Sequence, residues 1–158
     1  MKIRIISVGK IKEKYFKEAQ DEYIKMLSRF CDIEITELQD EKVPDDPSGR
    51  EIELVLKKEG EKIKNALKDE KNYYCMAIEG KEYDSLGFSE FIRDNRDNSR
   101  TLVFVIGGSY GIAGDIKKSS KGLVSFSKLT FPHRIARILL LEQIYRSFKI
   151  INNETYHK

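Results

Sequence analysis

Two short runs of apolar residues constrain the fold of this chain more than any other feature. Residues 73–78 and 102–106 are almost continuously apolar, and a glycine follows each run within two residues. Runs of this length without alternation are typical of strands buried on both faces of a parallel sheet. A sheet built on two such strands is expected to carry helices over both of its faces.

Other strand patterns alternate with segments in which apolar residues recur at helical spacing. Further strands are predicted near residues 3–8, 33–38 and 123–129, and helices near 13–30, 52–67, 86–97, 113–119 and 132–151. Ser48 and Glu51 form a capping-box pattern at the start of the second helix. The alternation predicts an α/β fold, with a mostly parallel sheet and helices on both faces. Since no repeat or break in composition divides the chain, residues 1–158 are predicted to form a single domain.

Several classes of protein are disfavoured by what the sequence lacks. It has no run of about 18 apolar residues that could cross a membrane, and its amino terminus lacks the pattern of a signal peptide. The two cysteines, Cys31 and Cys75, form no Cys-x-x-Cys pair. No cluster of His, Asp and Glu stands at metal-ligand spacing. We therefore expect a cytoplasmic protein with no membrane partner, no disulfide framework and no metal.

The distribution of charge is more informative than the net charge of +3. Residues 1–115 carry 20 Lys and Arg against 24 Asp and Glu, whereas residues 116–158 carry 9 against 2. The stretch from Lys117 to Arg137 contains no acidic residue. This asymmetry predicts a surface for a polyanion such as RNA, and the alternative is a solvated basic face without a partner.

The last predicted helix is apolar over more than one face. Its apolar residues include Ile135, Ile138, Leu139, Leu140, Leu141, Ile144, Tyr145 and Phe148. An arc of this width has to be buried on two sides. A second copy of the chain would cover the second side, which predicts a homodimer. The alternative is a helix that packs centrally within one chain.

Two further segments are candidates for chemistry. The glycine-rich turn Gly107–Gly111 follows a buried strand, where ligands bind in open α/β sheets, although a glycine pair can also be only a tight turn. Its spacing does not match the dinucleotide fingerprint G-x-G-x-x-G, and no Gly-Lys-Ser/Thr phosphate loop is present. The terminal Tyr156-His157-Lys158 combines an aromatic ring, an imidazole and a cation, which suits stacking, proton transfer and phosphate binding.

Four ordered motifs together resemble one family. They are Phe104–Gly111 (FVIGGSYG), Ser125–His133 (SFSKLTFPH), Leu140–Arg146 (LLEQIYR) and the terminal Tyr156–Lys158 (YHK). In these motifs, and in its whole length, the chain resembles the RlmH family, SPOUT-class methyltransferases that modify pseudouridine in large-subunit ribosomal RNA. The resemblance implies a C-terminal trefoil knot, a homodimer, and an S-adenosylmethionine pocket at the knot beside the partner subunit.

The resemblance also implies roles for individual residues. The cofactor contacts would be Met76, Gly107, Phe126, Ser127, Lys128, Leu129, Thr130 and Phe131. The reaction would be methylation of N3 of a pseudouridine in 23S rRNA on the assembled 70S ribosome. His157, or a water beside it, would assist loss of the N3 proton, with Tyr156 positioning the base and Arg146 holding the RNA. Further RNA contacts would come from Lys158, Arg134 and Arg137.

Three other functions fit parts of the pattern. A SPOUT methyltransferase acting on a different RNA would share the glycine turn, but the terminal Tyr-His-Lys favours the ribosomal substrate. A non-catalytic ribosome-associated factor would use the basic surface without binding S-adenosylmethionine. A dinucleotide oxidoreductase is the third alternative, and the position of the glycines disfavours it.

Overall fold

A computed structural model describes residues 1–156, which form a five-stranded sheet and five helices. The strands are β1 (Lys2–Val8), β2 (Asp32–Leu38), β3 (Tyr73–Glu82), β4 (Thr101–Ile106) and β5 (Gly122–Ser125). The helices are α1 (Lys14–Leu27), α2 (Gly49–Leu67), α3 (Ser85–Asn98), α4 (Gly114–Ser119) and α5 (His133–Ile151). None of the helices among the described residues is long and apolar enough to span a membrane.

The strands lie in the order β2-β1-β4-β3-β5, and every neighbouring pair is parallel. Successive side chains of a strand point to opposite faces, so each strand contributes to two cores. Phe104 packs with residues of α1, α3 and α5, whereas Val105 packs with residues of α2 and α4. The predicted α/β fold with a parallel sheet and helices on both faces is confirmed. The trefoil knot is not tested by the strand order and stays a prediction.

Helix α5 lies between α1 and α3 on one face of the sheet. Leu140, Leu141 and Ile144 are fully buried, and the ring of Phe148 stacks on Phe30 with centroids 5.5 Å apart. Every residue of α5 is buried or half-buried within one chain. The buried part of the apolar arc is satisfied by packing inside the monomer, as in the alternative that the sequence left open, whereas Ile135, Ile138 and Leu139 are only half-buried. By itself the arc does not require a second chain.

Two strand ends differ from the prediction, and both lie at the carboxyl edge of the sheet. Strand β3 continues to Glu82 through an irregularity between Met76 and Lys81, and Ile78 is exposed rather than buried. Strand β5 ends at Ser125 instead of Leu129, because the hydroxyl of Ser127 accepts a hydrogen bond from the Leu129 N–H and turns the chain. The apolar residues that follow Ser125 line a cavity rather than extend the strand.

Loop 39–48 leads into α2 through the predicted capping box. The backbone N–H of Ser48 donates to the Glu51 carboxylate at 2.8 Å, and the Glu51 N–H donates to the Ser48 hydroxyl at 3.3 Å. Each side chain thereby satisfies a backbone donor at the helix start, as the sequence pattern predicts.

Candidate functional site

A cavity of about 840 Å³ opens at the carboxyl ends of β3, β4 and β5. Its walls come from residues 76–79 of β3, the glycine turn after β4, residues 124–127 and 129–132 at the end of β5 and in the loop that follows, and the first turn of α5. This is the edge at which ligands bind in open parallel sheets, and the volume suits a ligand of nucleoside size. A depression of about 530 Å³ lies at the opposite edge, near Asp32 and Arg100, and lacks a glycine turn.

The glycine turn forms one wall of this cavity. The Gly111 N–H donates to the Gly108 carbonyl at 3.0 Å, and Gly111 has φ of +84°, a conformation that side chains other than glycine rarely adopt. A Cβ on Gly107 would lie 2.3 Å from the carbonyl oxygen of Gly111. No other residue type fits Gly107 in this turn, because the Gly111 backbone occupies the place that a side chain would take.

The loop after β5 forms the opposite wall. Phe126 and Phe131 pack edge to face with ring centroids 6.4 Å apart. Leu129 is 69% exposed and stands at the mouth of the cavity. Seven of the eight predicted cofactor residues line the cavity, namely Met76, Gly107, Phe126, Ser127, Leu129, Thr130 and Phe131. The eighth, Lys128, is exposed and does not line it.

One ion pair lies on the rim. The ammonium of Lys117 donates to the Glu79 carboxylate at 2.6 Å, and this hydrogen bond holds the pKa of Glu79 below its usual value. The two charges compensate each other, so the pair adds little net charge to the cavity. Apart from the first turn of α5, the rest of the lining consists mainly of apolar side chains, serine and threonine hydroxyls, and backbone groups.

The first turn of α5 contributes two residues that sequence reasoning did not assign to the cofactor site. His133 and Arg134 both line the cavity. The His133 ring packs so closely on Gly9 that a Cβ there would lie 2.7 Å from it. Arg134 pairs with Glu13, and its guanidinium lies 5.8 Å from the Phe16 ring centroid. The loop between β1 and α1 is therefore fixed against the cavity, a long-range contact with no local sequence signal.

Arg137 occupies a different environment from the RNA contact predicted for it. It is fully buried, its Nη2 donates to the carbonyl oxygen of Gly9 at 3.0 Å, and its Nη1 bonds to Glu37 and, at 3.1 Å, to Gln20. Burial raises the pKa of Glu37, but hydrogen bonds from Arg137 and the Ile11 N–H outweigh it and leave the pKa below its usual value. No phosphate could reach Arg137 in this fold, so its predicted role at the RNA surface is replaced by a structural one.

Arg146 and Tyr156, two of the predicted catalytic residues, lie together around Glu142. Arg146 donates to Glu142 Oε1 from Nε at 3.1 Å and from Nη2 at 2.6 Å, and the Tyr156 hydroxyl lies 3.4 Å from the same oxygen. The Arg146 guanidinium stands 4.8 Å from the centre of the Tyr156 ring. The hydrogen bond to Glu142 raises the pKa of Arg146. Burial, together with the negative charge of Glu142, raises the pKa of Tyr156 and of the nearby Tyr23.

The carboxyl-terminal tail turns back along α5. Glu154 accepts two hydrogen bonds from Arg29 at 2.9 and 3.0 Å and pairs with Lys149, and the Tyr156 ring packs edge to face on Tyr145. Arg146 follows His133 by thirteen positions in the helix, which corresponds to about 20 Å along the axis. The structure therefore does not bring Arg146 and Tyr156 to the cavity of their own chain. His157 and Lys158 lie outside the described residues.

Both cysteines are free and buried. Burial raises the pKa of the Cys31 thiol to about 12 and that of Cys75 to about 11, so neither is a thiolate at neutral pH. The described residues contain no group of three or more His, Cys, Asp and Glu arranged to hold a metal ion.

Comparison with known proteins places these features in a family. A family model described as predicted SPOUT methyltransferase matches residues 1–157. The chain is 51% identical over 161 residues to the ribosomal RNA large subunit methyltransferase H of Clostridium botulinum (strain Eklund 17B / Type B) and 47% over 160 residues to that of Clostridium acetobutylicum. It is 49% identical over 159 residues to a putative ribosomal RNA large subunit methyltransferase H of Methanococcus vannielii. Each match covers the whole of both chains.

Proposed function

The chain belongs to the SPOUT methyltransferase family, and on this basis we propose that it methylates N3 of a pseudouridine in 23S rRNA on the assembled 70S ribosome. The methyl donor would be S-adenosylmethionine, and the reaction would take place in the cytoplasm, where ribosomes are. The observation that carries the proposal is the 840 Å³ cavity beside the glycine turn, in a chain whose full-length relatives are named as large-subunit rRNA methyltransferases.

The cavity residues fit this cofactor. The glycine turn from Gly107 to Gly111 lines one wall of the cavity. The apolar walls at Met76, Phe126 and Phe131 suit an adenine ring, and the serine and threonine of the β5 loop offer hydroxyls to polar groups. When bound, the cofactor supplies a methyl group that its positive sulfur has already activated. The chain then has to hold the target base in line with that methyl group and weaken the bond to the N3 proton.

The groups proposed to handle the RNA lie on another part of the chain. Arg146 and Tyr156 are about 20 Å along α5 from the cavity, estimated from the helical rise. A second copy of the chain, packed along the half-exposed face of α5, would bring its own Arg146 and Tyr156 to this cavity. This separation supports the homodimer more directly than the apolar arc does. The cavity of one subunit and the tail of its partner would then form one active site.

Each residue in that composite site has a defined task. Glu142 holds the Arg146 guanidinium through Nε and Nη2, and its remaining N–H groups would donate to a phosphate or base oxygen. The Tyr156 ring offers a face on which a base can stack. His157, or a water beside it, stays the predicted acceptor of the N3 proton. Arg134 at the cavity rim and Lys158 stay predicted RNA contacts.

The proposal is tested on rRNA from cells that lack this gene. Nucleoside mass spectrometry should show one unmethylated pseudouridine in 23S rRNA, and purified protein with S-adenosylmethionine should restore N3-methylpseudouridine on isolated 70S ribosomes. Methyl groups appearing in another RNA would instead support a SPOUT enzyme with a different substrate. Calorimetry tests the remaining alternative, because a non-catalytic ribosome-associated factor should not bind S-adenosylhomocysteine.

A further inference from the structure

A cluster of lysines surrounds the loop between β1 and α1. Lys10, Lys12, Lys14 and Lys17 fall within eight residues and are all exposed. The single acidic residue among them, Glu13, is paired with Arg134. Lys14 lies 3.6 Å from Glu18 in an exposed pair that contributes little, and the other three lysines form no ion pair with a described residue. We call Lys10–Lys17, which spans the end of this loop and the first turn of α1, the basic loop.

The basic loop is fixed beside the candidate active site. Its lysines follow β1 at the same edge of the sheet as the glycine turn, since β1 and β4 are parallel neighbours. Three residues of α5 fasten it there: His133 packs on Gly9, Arg134 pairs with Glu13, and Arg137 bonds to the Gly9 carbonyl oxygen. Because His133 and Arg134 also line the cavity, the basic loop is held against residues of the cavity wall.

Helix stability does not explain these lysines. Lys14 and Lys17 lie in the first turn of α1, where the helix dipole disfavours positive charge, and that turn contains no acidic residue. The side chain of Glu13 does not cap the helix, because Arg134 binds its carboxylate. Tyr15, in the middle of the cluster, is 65% exposed. A large exposed aromatic ring between unpaired lysines is typical of a surface that binds nucleic acid.

The basic stretch from Lys117 to Arg137, which the charge distribution predicts to bind RNA, has fewer unpaired charges. Lys117, Arg134 and Arg137 pair with Glu79, Glu13 and Glu37, which leaves Lys118, Lys121 and Lys128 exposed. We infer that the basic loop is a docking surface for the RNA backbone, with Lys10, Lys12 and Lys17 on phosphates and Tyr15 stacked on an unpaired base. This inference rests on the proposed function, because it identifies where the rRNA meets the active-site edge.

The test compares two triple variants that change net charge by the same amount. In the first, Lys10, Lys12 and Lys17 are replaced by Gln. In the control, Lys25, Lys57 and Lys71 are replaced by Gln; they are likewise exposed and form no ion pair with a described residue. Binding to purified 70S ribosomes is measured from about 50 to 200 mM salt, together with kcat and KM for methylation and the affinity for S-adenosylhomocysteine.

We expect the loop variant to bind ribosomes about 10- to 100-fold more weakly and to lose about 2 to 3 units of the slope of log affinity against log salt. Its KM for ribosomes should rise in parallel, with kcat and cofactor affinity unchanged, and the control should match the wild type. A Tyr15→Ala variant should weaken binding without altering the salt slope. Equal slopes and affinities for the loop variant and the wild type would overturn the inference, as would equal losses in the two triple variants.

Failure of the proposed function gives a different result. If the wild type binds ribosomes but transfers no methyl group, the methyltransferase assignment is wrong, whereas the binding data still decide whether the basic loop docks RNA. If methylation is intact in wild type and loop variant alike, with the same KM, the function stands and the docking surface is wrong.

Discussion

Arg137 donates a hydrogen bond from Nη2 to the carbonyl oxygen of Gly9 at 3.0 Å, deep between α5 and the end of β1. This contact joins two segments that lie 128 residues apart and fixes the basic loop beside the cavity. Replacement by Met keeps the length of the side chain but leaves Gly9, Gln20 and Glu37 without their partner. We expect the free energy of unfolding to fall by about 1.5 to 3 kcal/mol, the range for a lost hydrogen bond to a charged group. Urea unfolding measures this loss.

The same variant has a distinct pH signature. The pKa of Glu37 is depressed in the folded protein, so its contribution to stability is present above the usual carboxyl value of 4.5 and is lost as pH falls through the lower folded value. The wild type should lose this part of its stability below about pH 4.5, and Arg137→Met should lose less of it. A difference in stability that stays constant from pH 7 to pH 3 would contradict the role of the Glu37 pair.

The contribution of Glu59 to stability should depend on pH in the opposite direction. It is 4% exposed, its Oε1 accepts the Glu41 N–H at 3.0 Å, and its Oε2 has no partner among the described residues. Burial raises its pKa above 4.5, so stability from this group falls as pH rises from 4.5 to the folded value. Glu59→Gln keeps the acceptor and removes the buried charge. We expect it to be more stable than the wild type at pH 8 by about 1 kcal/mol and closer to it at pH 5.

Thermal unfolding of the Glu59→Gln protein at both pH values decides this. Glu61→Gln, two positions along α2 and exposed, is the control and should follow the wild type. Equal destabilisation of Glu59→Gln at pH 5 and pH 8 would show that the carboxylate is paired by a partner within the fold.

The glycine turn gives a prediction on cofactor binding. A Cβ at Gly107 would lie 2.3 Å from the Gly111 oxygen, so Gly107→Ala has to displace the turn. Gly114, at the start of α4, has no atom within 4 Å of an added Cβ, and Gly114→Ala is a matched control. Calorimetry should show at least about tenfold weaker binding of S-adenosylhomocysteine to Gly107→Ala. Unchanged affinity would place the cofactor outside this cavity.

Glu142 is expected to act through the residues that it holds. Glu142→Gln keeps an acceptor but removes the charge that fixes Arg146, so that the guanidinium loses its strongest partner. We expect kcat for ribosome methylation to fall about tenfold, which corresponds to about 1.4 kcal/mol of transition-state stabilisation. Cofactor affinity should not change, because Glu142 does not line the cavity. A loss of cofactor binding in this variant would contradict the assignment of Glu142 to the RNA side.

The sequence predicts the architecture well where the signal is local. The buried runs at 73–78 and 102–106 identify β3 and β4, and Ser48 with Glu51 marks the start of α2. The predicted end of β5 is wrong because the Ser127 hydroxyl accepts a hydrogen bond from the backbone two residues later and turns the chain. The apolar residues that follow line the cavity, and in the sequence they have the same pattern as a strand. The number of charged residues in a segment also does not show which of their side chains form ion pairs in the fold.

Arg137 and the basic loop illustrate that limit. Arg137 belongs to the most basic part of the chain, yet it is fully buried against Glu37. Lys10–Lys17 belongs to the part with a net negative charge, yet its lysines are exposed beside the cavity. Both outcomes depend on contacts more than 90 residues apart, which no local pattern encodes.

The central claim is that the cavity of one chain and the tail of another form one methyl-transfer site. This arrangement is tested most directly by mixing Gly107→Ala and Arg146→Ala, each expected to be strongly impaired when the cofactor is kept below its affinity for the Gly107→Ala chain, and measuring transfer of labelled methyl groups to 70S ribosomes. In a mixed dimer, the intact cavity of the Arg146→Ala chain meets the intact Arg146 of the Gly107→Ala chain. Random exchange of subunits should restore about a quarter of the wild-type activity. No activity above that of the separate variants would contradict the composite site.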